Sequence, residues 1–465
     1  MSTLDTFFSN LSALTGGAST DHLKVVFTLL ASYPVALIYK YLPSRSPTFK
    51  HLFSIIISII VLFYVFDLAK AFYTMLASSL ITYIIMYYVR GDWGPKLVFL
   101  CSLGHLSPQM VLVIKLTSFA FNVYDGRRPI NELTSYQRSK AIPSIPSILE
   151  FLGYIFFFGG FLVGPAFEFM DYRRFTNMEM FRIENKKQQV KLVNPNNNND
   201  KYHVPNGFIP AMSKLSFGIF WILCLVTLGN KYPFDWTVTE EFKNISFLDK
   251  LFYIQLASFC ARFKYYIVWL VAEGSCILSG LGFNGYDENG NEKWNRVSNV
   301  DIIAYETADN VKTLLESWNM NTNKWLKNYV YIRVTPPGKK PSFVSTITTF
   351  GTSAIWHGFY PGYYLTFMSG AFVQSIHRTL RRHIRPIFLT PRFSSLKPLY
   401  NFFGIGRTFK KIVQIGGGIV DEGKKDQIKK WKVGSKGFDG EGKIALTETG
   451  IPLEVDNDLV GFKEE

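Results

Sequence analysis

Cysteine is scarce in this chain of 465 residues, and the arrangements that cysteine usually forms are missing. The four cysteines, Cys101, Cys224, Cys260 and Cys276, each fall in or beside an apolar run. None is paired at the spacing of metal ligands, which argues against a disulfide scaffold and against a zinc site. We therefore predict neither a metal nor a bound cofactor.

Acidic residues are also in short supply, because 35 Asp and Glu stand against 50 Lys and Arg, a net charge of +15. Such an excess is often a sign of nucleic-acid binding. Here the basic residues lie mainly in loops between apolar runs, so anionic lipid head groups and the positive-inside rule explain them. We expect no nucleic-acid partner. Residues 1–21 lack the cationic start and apolar core of a cleavable signal peptide.

Long apolar runs are what the sequence has in abundance, with 48% hydrophobic and 16% aromatic residues. A membrane-spanning helix needs about 20 mostly apolar residues. Runs of this kind occupy residues 24–43, 51–68, 72–89, 95–123, 148–170, 211–228, 251–281 and 343–371. The sequence therefore predicts an all-α, polytopic membrane bundle of about eight to ten membrane segments.

Polar residues interrupt two of these runs. His105 and Pro108 divide residues 95–123 into two short pieces or a re-entrant pair. Arg262, Lys264 and Glu273 interrupt residues 251–281, which predicts a broken or steeply tilted helix. The run 148–170 is instead rich in glycine, and we interpret its glycines as contacts that let helix backbones approach closely.

The chain changes character near residue 390. We expect residues 1–390 to form one multi-pass membrane domain, which ends in a basic stop of His377, Arg378, Arg381, Arg382 and Arg385. Residues 391–465 have many lysines and no spanning run. This composition predicts a polar, weakly structured C-terminal tail.

An imidazole and a carboxamide are the candidate chemical groups. His357 lies in an apolar run, and an ionisable group at membrane depth is functional by default. Desolvation disfavours a charged imidazole, so His357 should stay neutral and accept a proton from an alcohol. Asn319 can donate a hydrogen bond to an oxyanion or a leaving thiolate, or hold a substrate. With no serine–acid pair nearby, this pair suggests direct attack of an alcohol on an activated acyl group.

Structural explanations compete with this functional one. A lone histidine in an apolar segment is often a packing residue, and Asn319 can simply cap a helix. Arg262, Lys264 and Glu273 can form an internal ion pair. A further alternative is an amphipathic interfacial helix, because helical spacing separates Trp318, Thr322, Trp325 and Tyr329.

Four blocks of sequence together resemble a known family. They are residues 115–126 (KLTSFAFNVYDG), 159–165 (GGFLVGP), 318–326 (WNMNTNKWL) and 356–363 (WHGFYPGY). In this order and spacing they resemble the membrane-bound O-acyltransferase (MBOAT) family, and most closely its fungal broad-specificity lysophospholipid acyltransferases. The sequence lacks the Phe-Tyr-x-Asp-Trp-Trp-Asn motif found in the sterol and diacylglycerol acyltransferases of the wider family.

The resemblance implies about eleven helices around a catalytic chamber, with His357 and Asn319 as the catalytic pair. It implies esterification of the sn-2 hydroxyl of lysophospholipids (lysophosphatidylcholine, -ethanolamine, -serine and lysophosphatidic acid) in the endoplasmic reticulum membrane. Acyl-CoA, the co-substrate, would enter from the cytosol and the lysophospholipid from the bilayer. The sequence sets no oligomeric state.

Further residues receive roles as hypotheses within this resemblance. Lys324, Lys327 and Arg333 would steer the phosphates of CoA, although they can equally be membrane-surface charges. The three residues Trp318, Trp325 and Trp356 would line the chamber. Trp356 and Tyr363 would also hold His357 in place.

Alternatives remain open. A membrane transporter could use Glu273, Arg262 and His357 as a polar intramembrane pathway. Family members usually continue with further apolar helices after the basic stop, so the polar tail is compatible with an inactive, truncated acyltransferase-like scaffold. The acceptor could also be a protein or a peptide.

Overall fold

The computed structural model describes residues 3–14, 19–43, 46–105, 109–182, 203–308, 310–336 and 338–384. Within these ranges the regular structure is helical, and an isolated antiparallel bridge joins Tyr286 and Glu292. The predicted tail, residues 391–465, lies outside the described residues. The chain divides into two compact units, one built from residues 1–219 and 267–298 and the other from 220–266 and the described residues after 298.

The first unit contains most of the apolar helices. They are α1 (Thr3–Leu14), α2 (Thr20–Tyr41), α3 (Pro47–Ile60), α4 (Ala69–Tyr88), α5 (Trp93–His105), α6 (Met110–Gly126), α7 (Ser135–Lys140), α8 (Ile148–Ile155), α9 (Phe169–Thr176) and the start of α10 (Phe208–Cys224). One-turn π-helical segments, Val61–Val65 and Leu225–Gly229, extend α3 and α10.

Four helical stretches in the described residues are long and apolar enough to cross a membrane, namely Thr20–Tyr41, Pro47–Val65, Ala69–Tyr88 and Phe208–Val238. They coincide with four of the predicted runs. These stretches expose large apolar side chains such as Ile56, Ile84 and Phe217. Exposure of many such side chains is unfavourable in water but favourable in contact with lipid. The count of eight to ten membrane segments stays a prediction.

The two interrupted runs behave differently from each other. Residues 95–123 form two pieces, α5 and α6, as predicted. Residues 251–279 instead lie in one uninterrupted helix of 33 residues, α12 (Phe247–Ser279), so the broken helix was wrong and the steeply tilted helix stays a prediction. The reason is electrostatic, because Arg262 and Glu273 each have an oppositely charged partner and a paired charge does not force the backbone to break.

The interpretation of the glycine-rich run 148–170 as helix contacts is confirmed for Gly153 in α8, where a Cβ would come within 3.0 Å of the Cα of His51 in α3. Its helix, α8, ends at Ile155, and Gly160 lies in the irregular segment that follows. A Cβ on Gly160 would come within 2.9 Å of the carbonyl oxygen of Pro165. Gly160 therefore permits a close approach within an irregular segment and not between two helices.

Buried polar residues stabilise this irregular region of the first unit. The Nζ of Lys115 donates to the carbonyl oxygens of Tyr154 and Ile155, at 3.0 and 3.2 Å, at the C-terminal end of α8. Helix C-termini leave carbonyls without intrahelical partners, and a cation there also interacts favourably with the helix dipole. Asn122 donates to Glu168 at 2.8 Å just before α9 begins. The block 115–126 therefore contacts both flanks of the segment that contains the block 159–165.

A second polar cluster of the first unit centres on Asp171 in α9. The carboxylate binds Lys140 at 2.6 Å and Arg296 at 2.9 Å. Burial alone would raise the pKa of Asp171, but the charges of Lys140 and Arg296 outweigh that effect and hold the pKa below its usual value. The cluster joins the polar connection before α8 to the loop after α12.

The second unit contains α11 (Glu240–Asn244), the first part of α12, α13 (Ile302–Glu306), α14 (Val311–Ser317), α15 (Met320–Leu326), α16 (Phe343–His357) and α17 (Pro361–His383). A π-helical turn, Lys327–Tyr331, extends α15. Helices α16 and α17 pack side by side as a hairpin, because only three residues connect them. Pro361 occupies the first turn of α17, a position that suits proline.

Candidate active site

His357 is the last residue of α16, and the turn behind it determines its surroundings. Gly358 follows with φ of 109° and ψ of −175°, a conformation that side chains with a Cβ rarely adopt. Pro361 then starts α17 in the opposite direction. As a result α17 returns past the imidazole and brings Tyr363 and Phe367 against it.

Aromatic rings enclose the imidazole. The ring of Phe367 stacks on His357 with centroids 4.7 Å apart and an interplanar angle of 24°, and Tyr363 lies at 5.2 Å. Trp356 meets the imidazole edge-on at 4.7 Å, and Trp325 lies 6.0 Å behind Trp356. His357 is only 6% exposed. These contacts leave the ring little freedom to rotate and keep bulk water away from it.

Asn319 occupies the junction between α14 and α15. Its backbone has φ of 41° and ψ of 50°, the left-handed conformation that asparagine tolerates better than most residues. It stands at the N-cap position of α15, but its side chain makes no capping hydrogen bond. The simple explanation of Asn319 as a side-chain cap is therefore wrong. The Oδ1 of Asn319 instead accepts from the Nδ2 of Asn299 at 3.2 Å.

Trp318, next to Asn319, is held by three tyrosines. Tyr305 lies 4.6 Å from its ring, Tyr265 5.7 Å and Tyr266 5.8 Å. This packing fixes the junction on the side opposite the start of α15. The left-handed asparagine therefore sits between a buried tryptophan and the first turn of a helix.

A cavity of about 500 Å³ in the second unit connects the two candidate groups, because Asn319 and His357 both line it. The other lining residues come from α14 to α17 and the turns beside them. They are Val311, Lys312, Leu315, Glu316, Trp318, Met320, Thr322, Asn323, Lys324, Leu326, Lys327, Tyr331, Thr346, Thr349, Phe350, Ser353, Phe367, Gln374, His377, Arg378 and Arg381.

The cavity is strongly polarised along its length. His357, Asn319 and Phe367 are buried, whereas the cationic side chains of the lining are exposed and mark an open mouth. These cations are Lys312, Lys324, Lys327, Arg378 and Arg381. Among the described lining residues Glu316 is the one carboxylate, and it lies 3.7 Å from Lys312. We call this group of five cations the basic mouth.

Arg378 is the most firmly placed residue of the basic mouth. Its Nη2 donates to the Oγ1 of Thr346 at 2.8 Å, and its Nη1 lies 3.5 Å from the hydroxyl of Tyr331. Both partners are neutral and both line the cavity. Along α17, Arg378 stands eleven residues after Phe367, which is about 16 Å at the rise of an α-helix. An anionic ligand at Arg378 would thus lie well separated from the imidazole.

The predicted site residues fall into two groups. Trp318, Lys324 and Lys327 line the cavity with the two candidate catalytic residues. The others do not line it: Trp325, Trp356 and Tyr363 are buried behind the imidazole, and Arg333 lies over the ring of Tyr329. The proposed roles of all these residues stay predictions.

Four residues near the site were not predicted as site residues: Asn299, Phe367, Arg378 and Arg381. A signal existed for three of them, because Phe367, Arg378 and Arg381 fall at helical spacing and so share one face of α17. No such signal existed for Asn299. It approaches Asn319 only because residues 299–301 fold back along residues 317–321.

The charged residues that a transporter would need are engaged elsewhere. Arg262 forms a two-pronged pair with Glu306, at 2.8 and 2.9 Å, within the second unit. Glu273 bonds to Lys214 at 2.9 Å and accepts a hydrogen bond from Ser298 within the first unit. Neither Arg262 nor Glu273 lines the cavity of His357. The arrangement favours internal ion pairs over a polar pathway.

The fold and the site define the class: an apolar helical bundle that shelters an imidazole and a carboxamide in one chamber. A model of the MBOAT, membrane-bound O-acyltransferase, family matches residues 96–406, which is more than half of the chain. The chain belongs to that family. It is therefore an integral membrane protein and an O-acyltransferase.

Named relatives extend along most of the chain. The lysophospholipid acyltransferase of Schizosaccharomyces pombe is 42% identical over 413 residues, which cover 84% of this chain and 79% of that protein. The lysophospholipid acyltransferase of Saccharomyces cerevisiae is 40% identical over 423 residues, with 84% of this chain and 67% of that protein covered. Lysophospholipid acyltransferase 5 of Mus musculus is 30% identical, covering 83% and 78%. The resemblance to fungal lysophospholipid acyltransferases is confirmed.

Proposed function

We propose that the enzyme transfers an acyl chain from acyl-CoA to the sn-2 hydroxyl of a lysophospholipid. The observation that carries the proposal is the cavity, in which His357 and Asn319 share a buried end and cations surround the open end. An acyl-CoA has the matching polarity, with an apolar acyl thioester at one end and phosphates at the other. The names of the relatives supply the acceptor class.

The proposed chemistry is a direct transfer. The imidazole of His357 takes the proton of the acceptor hydroxyl while the hydroxyl oxygen bonds to the thioester carbon. The carbonyl electron pair moves to its oxygen, and Asn319 donates a hydrogen bond to the developing charge. When the carbonyl re-forms, the C–S bond breaks and the CoA thiolate leaves with the electron pair and receives the proton from His357. No metal or further cofactor enters this sequence.

The basic mouth is the proposed site for the phosphates of CoA. Lys324 and Lys327 take the role predicted for them, and Arg378 and Arg381 join them from the facing helix α17. Arg378 is suited to a phosphate because its planar guanidinium is already oriented and binds phosphate oxygens in pairs. The pantetheine arm would span the distance between this mouth and the imidazole.

The acceptors we propose are lysophosphatidylcholine, lysophosphatidylethanolamine, lysophosphatidylserine and lysophosphatidic acid, within the endoplasmic reticulum membrane. The amphipathic acceptor would reach the chamber from the bilayer. Exclusion of water from the enclosed end favours transfer to the lipid hydroxyl over hydrolysis of the thioester.

The first experiment gives microsomes that contain the enzyme labelled oleoyl-CoA and each lysophospholipid in turn. We expect product from the wild type and a loss of at least about 100-fold in His357→Ala, because a general base contributes 10²–10⁴-fold. His383→Ala is the matched control, since His383 is an exposed histidine on α17. Equal turnover in the two variants would exclude His357 as the base. No product from correctly inserted wild type would favour the inactive scaffold.

Asn319→Gly tests the carboxamide. Glycine adopts positive φ without cost, so this variant removes the side chain and preserves the backbone that Asn319 requires. We expect a large loss of turnover at a normal protein level. Wild-type turnover would remove Asn319 from the catalytic machinery.

A second experiment tests acyl-CoA as the donor. Arg378→Gln should raise the KM for acyl-CoA by about 10- to 100-fold, the worth of a charge-assisted hydrogen bond, with a smaller change in kcat. Arg382→Gln is the control, because Arg382 is exposed on the same helix and does not line the cavity. Equal KM values for the two variants would place the phosphates elsewhere.

A further inference from the structure

One buried residue outside the cavity holds the segment that contains Asn319. Asn299 accepts from the backbone N–H of Met320 through its own backbone oxygen at 2.8 Å. Its side-chain oxygen accepts from the backbone N–H of Asn321 at 3.0 Å, and its Nδ2 donates to the Oδ1 of Asn319 at 3.2 Å. Asn299 is only 4% exposed. A single residue thus binds three successive residues at the start of α15.

These hydrogen bonds fix which way both carboxamides point. The backbone N–H of Asn321 can only donate, so the atom of Asn299 that faces it must be the carbonyl oxygen. The other edge of the Asn299 carboxamide is then NH₂, which can only donate. The atom of Asn319 that receives this bond must therefore be its oxygen, and the NH₂ group of Asn319 lies at the opposite edge.

The arrangement also explains why Asn319 is available at all. A residue at the N-cap position normally uses its side-chain oxygen to accept from the second or third N–H of the helix. In α15 the second N–H, that of Asn321, is bound by Asn299 instead. Asn299 therefore caps the helix in place of Asn319. The carboxamide of Asn319 is released from capping and contributes to the cavity.

We propose that Asn299 is a positioning residue that presents the NH₂ group of Asn319 to the reacting thioester. The inference rests on the proposed function and deepens it, because it names the residue that orients Asn319 as a hydrogen-bond donor. With its oxygen bound by Asn299, Asn319 offers the chamber a donor. A donor suits the oxyanion of the tetrahedral intermediate or the leaving thiolate, and it does not suit acceptance of the proton of the incoming hydroxyl.

Asn299→Asp isolates this role. An aspartate keeps the oxygen that caps Asn321, and aspartate is a good N-cap residue, so α15 should persist. It lacks the NH₂ that orients Asn319, and its charge attracts the NH₂ of Asn319 away from the substrate. We expect kcat to fall by about 100-fold, as when an oxyanion donor is lost. The KM for acyl-CoA should change less than about threefold, because the basic mouth is untouched.

The chain offers a matched control for this substitution. Asn284 donates from its Nδ2 to the Oδ1 of Asn295 at 2.9 Å, another asparagine pair, but near the surface of the first unit. Asn284→Asp makes the same chemical change there. We expect wild-type kcat and KM from this variant.

A double-mutant cycle separates positioning from general support of the fold. If Asn299 acts through Asn319, adding Asn299→Asp to Asn319→Gly should lower kcat no further. Losses that multiply would mean an independent structural role and would overturn the inference. Turnover is normalised to monodisperse protein. Asn299→Ala runs in parallel and should give the same non-additive loss in kcat, together with a lower melting temperature from the missing cap.

Failure of the inference can be told apart from failure of the proposed function. Wild-type turnover in Asn319→Gly would contradict the role of Asn319 itself. Loss of turnover in Asn319→Gly beside wild-type kcat in both Asn299 variants would contradict only the positioning role.

Discussion

Gly358 gives the most direct test of how the chain places its imidazole. Its backbone, with φ of 109° and ψ of −175°, lies in a region that is essentially restricted to glycine. A Cβ at this position would meet nothing within 4 Å. Substitution by alanine therefore causes no collision with neighbours, and any effect must come from the backbone of the turn between α16 and α17.

The size of the effect can be estimated because only backbone strain contributes. Holding a non-glycine residue in this region costs about 1–3 kcal/mol. Gly358→Ala can keep the turn and lower the free energy of unfolding by that amount. Alternatively, the turn can relax and shift His357 against Phe367. A shift of about 1 Å at a reacting group can lower the rate about 100-fold. Gly358→Ala should therefore lower stability, turnover or both, and relaxation should move the loss from stability to turnover.

Gly351 supplies the control within the same helix. It lies in the body of α16, where a Cβ would meet only the terminal methyl of Met368 at an ordinary 3.6 Å. Alanine is favoured over glycine inside a helix by about 0.5–1 kcal/mol, so Gly351→Ala should be neutral or stabilising. The two substitutions should differ by about 1.5–4 kcal/mol in the free energy of unfolding if Gly358→Ala keeps its turn.

The assay follows thermal unfolding of each purified variant in detergent by tryptophan fluorescence, and acyl transfer in the same preparations. The reasoning fails if Gly358→Ala equals Gly351→Ala in both melting temperature and turnover. That result would mean that the turn adopts another conformation in which position 358 tolerates a side chain. A loss in Gly351→Ala as large as in Gly358→Ala would also count against it, since packing of the helix would then dominate.

Three further predictions concern stability away from the chamber. Arg262→Met should cost about 3–5 kcal/mol, because it removes the cationic partner of the partly buried carboxylate of Glu306. Replacing both residues by apolar ones should recover most of that loss in thermal unfolding; strict additivity would contradict a pair. Gly274→Ala should destabilise the first unit, because its Cβ would lie 1.9 Å from the hydroxyl of Tyr33. Adding Tyr33→Phe should restore part of the stability, and no restoration in the double variant would locate the clash elsewhere. The folded-state pKa of Asp171 is lowered, so its ion pairs stabilise the protein above the unfolded-state pKa, and this contribution is lost as pH falls through the folded-state pKa. Asp171→Asn should therefore flatten the acid limb of a melting-temperature profile below about pH 5, and an unchanged slope there would contradict the assignment.

The length of the apolar runs allowed the long helices to be predicted, and this criterion failed where polar groups have distant partners. The runs at 24–43, 51–68 and 72–89 became helices because nothing within them competes with burial or lipid contact. The helix Phe247–Ser279 was expected either to break at its charges or to tilt steeply. It continues unbroken because Arg262 and Glu273 are paired by residues far along the chain. Such partners are set by tertiary contacts, which a local pattern does not contain.

The candidate site shows the same division between local and distant information. Motif spacing indicated His357 and Asn319, and both line one cavity. It did not indicate that Arg333 lies outside that cavity or that Asn299 binds Asn319. The direction of a side chain at the end of a helix depends on the turn that follows, and that turn is fixed by packing with residues distant in sequence.

Both candidate groups stand at helix ends and next to unusual backbone, which has a physical reason. A side chain in a helix interior points where the helical repeat directs it, and its neighbours one turn away crowd it. A residue at a terminus is freed from that repeat on one side, and a positive φ, at Gly358 after His357 and at Asn319 itself, turns the chain sharply there. Positive φ is costly for most residues, so the surrounding structure must enforce it. Here α17 packs over the turn at Gly358, and Asn299 binds the turn at Asn319. The residues that position the site are therefore those that hold these two turns.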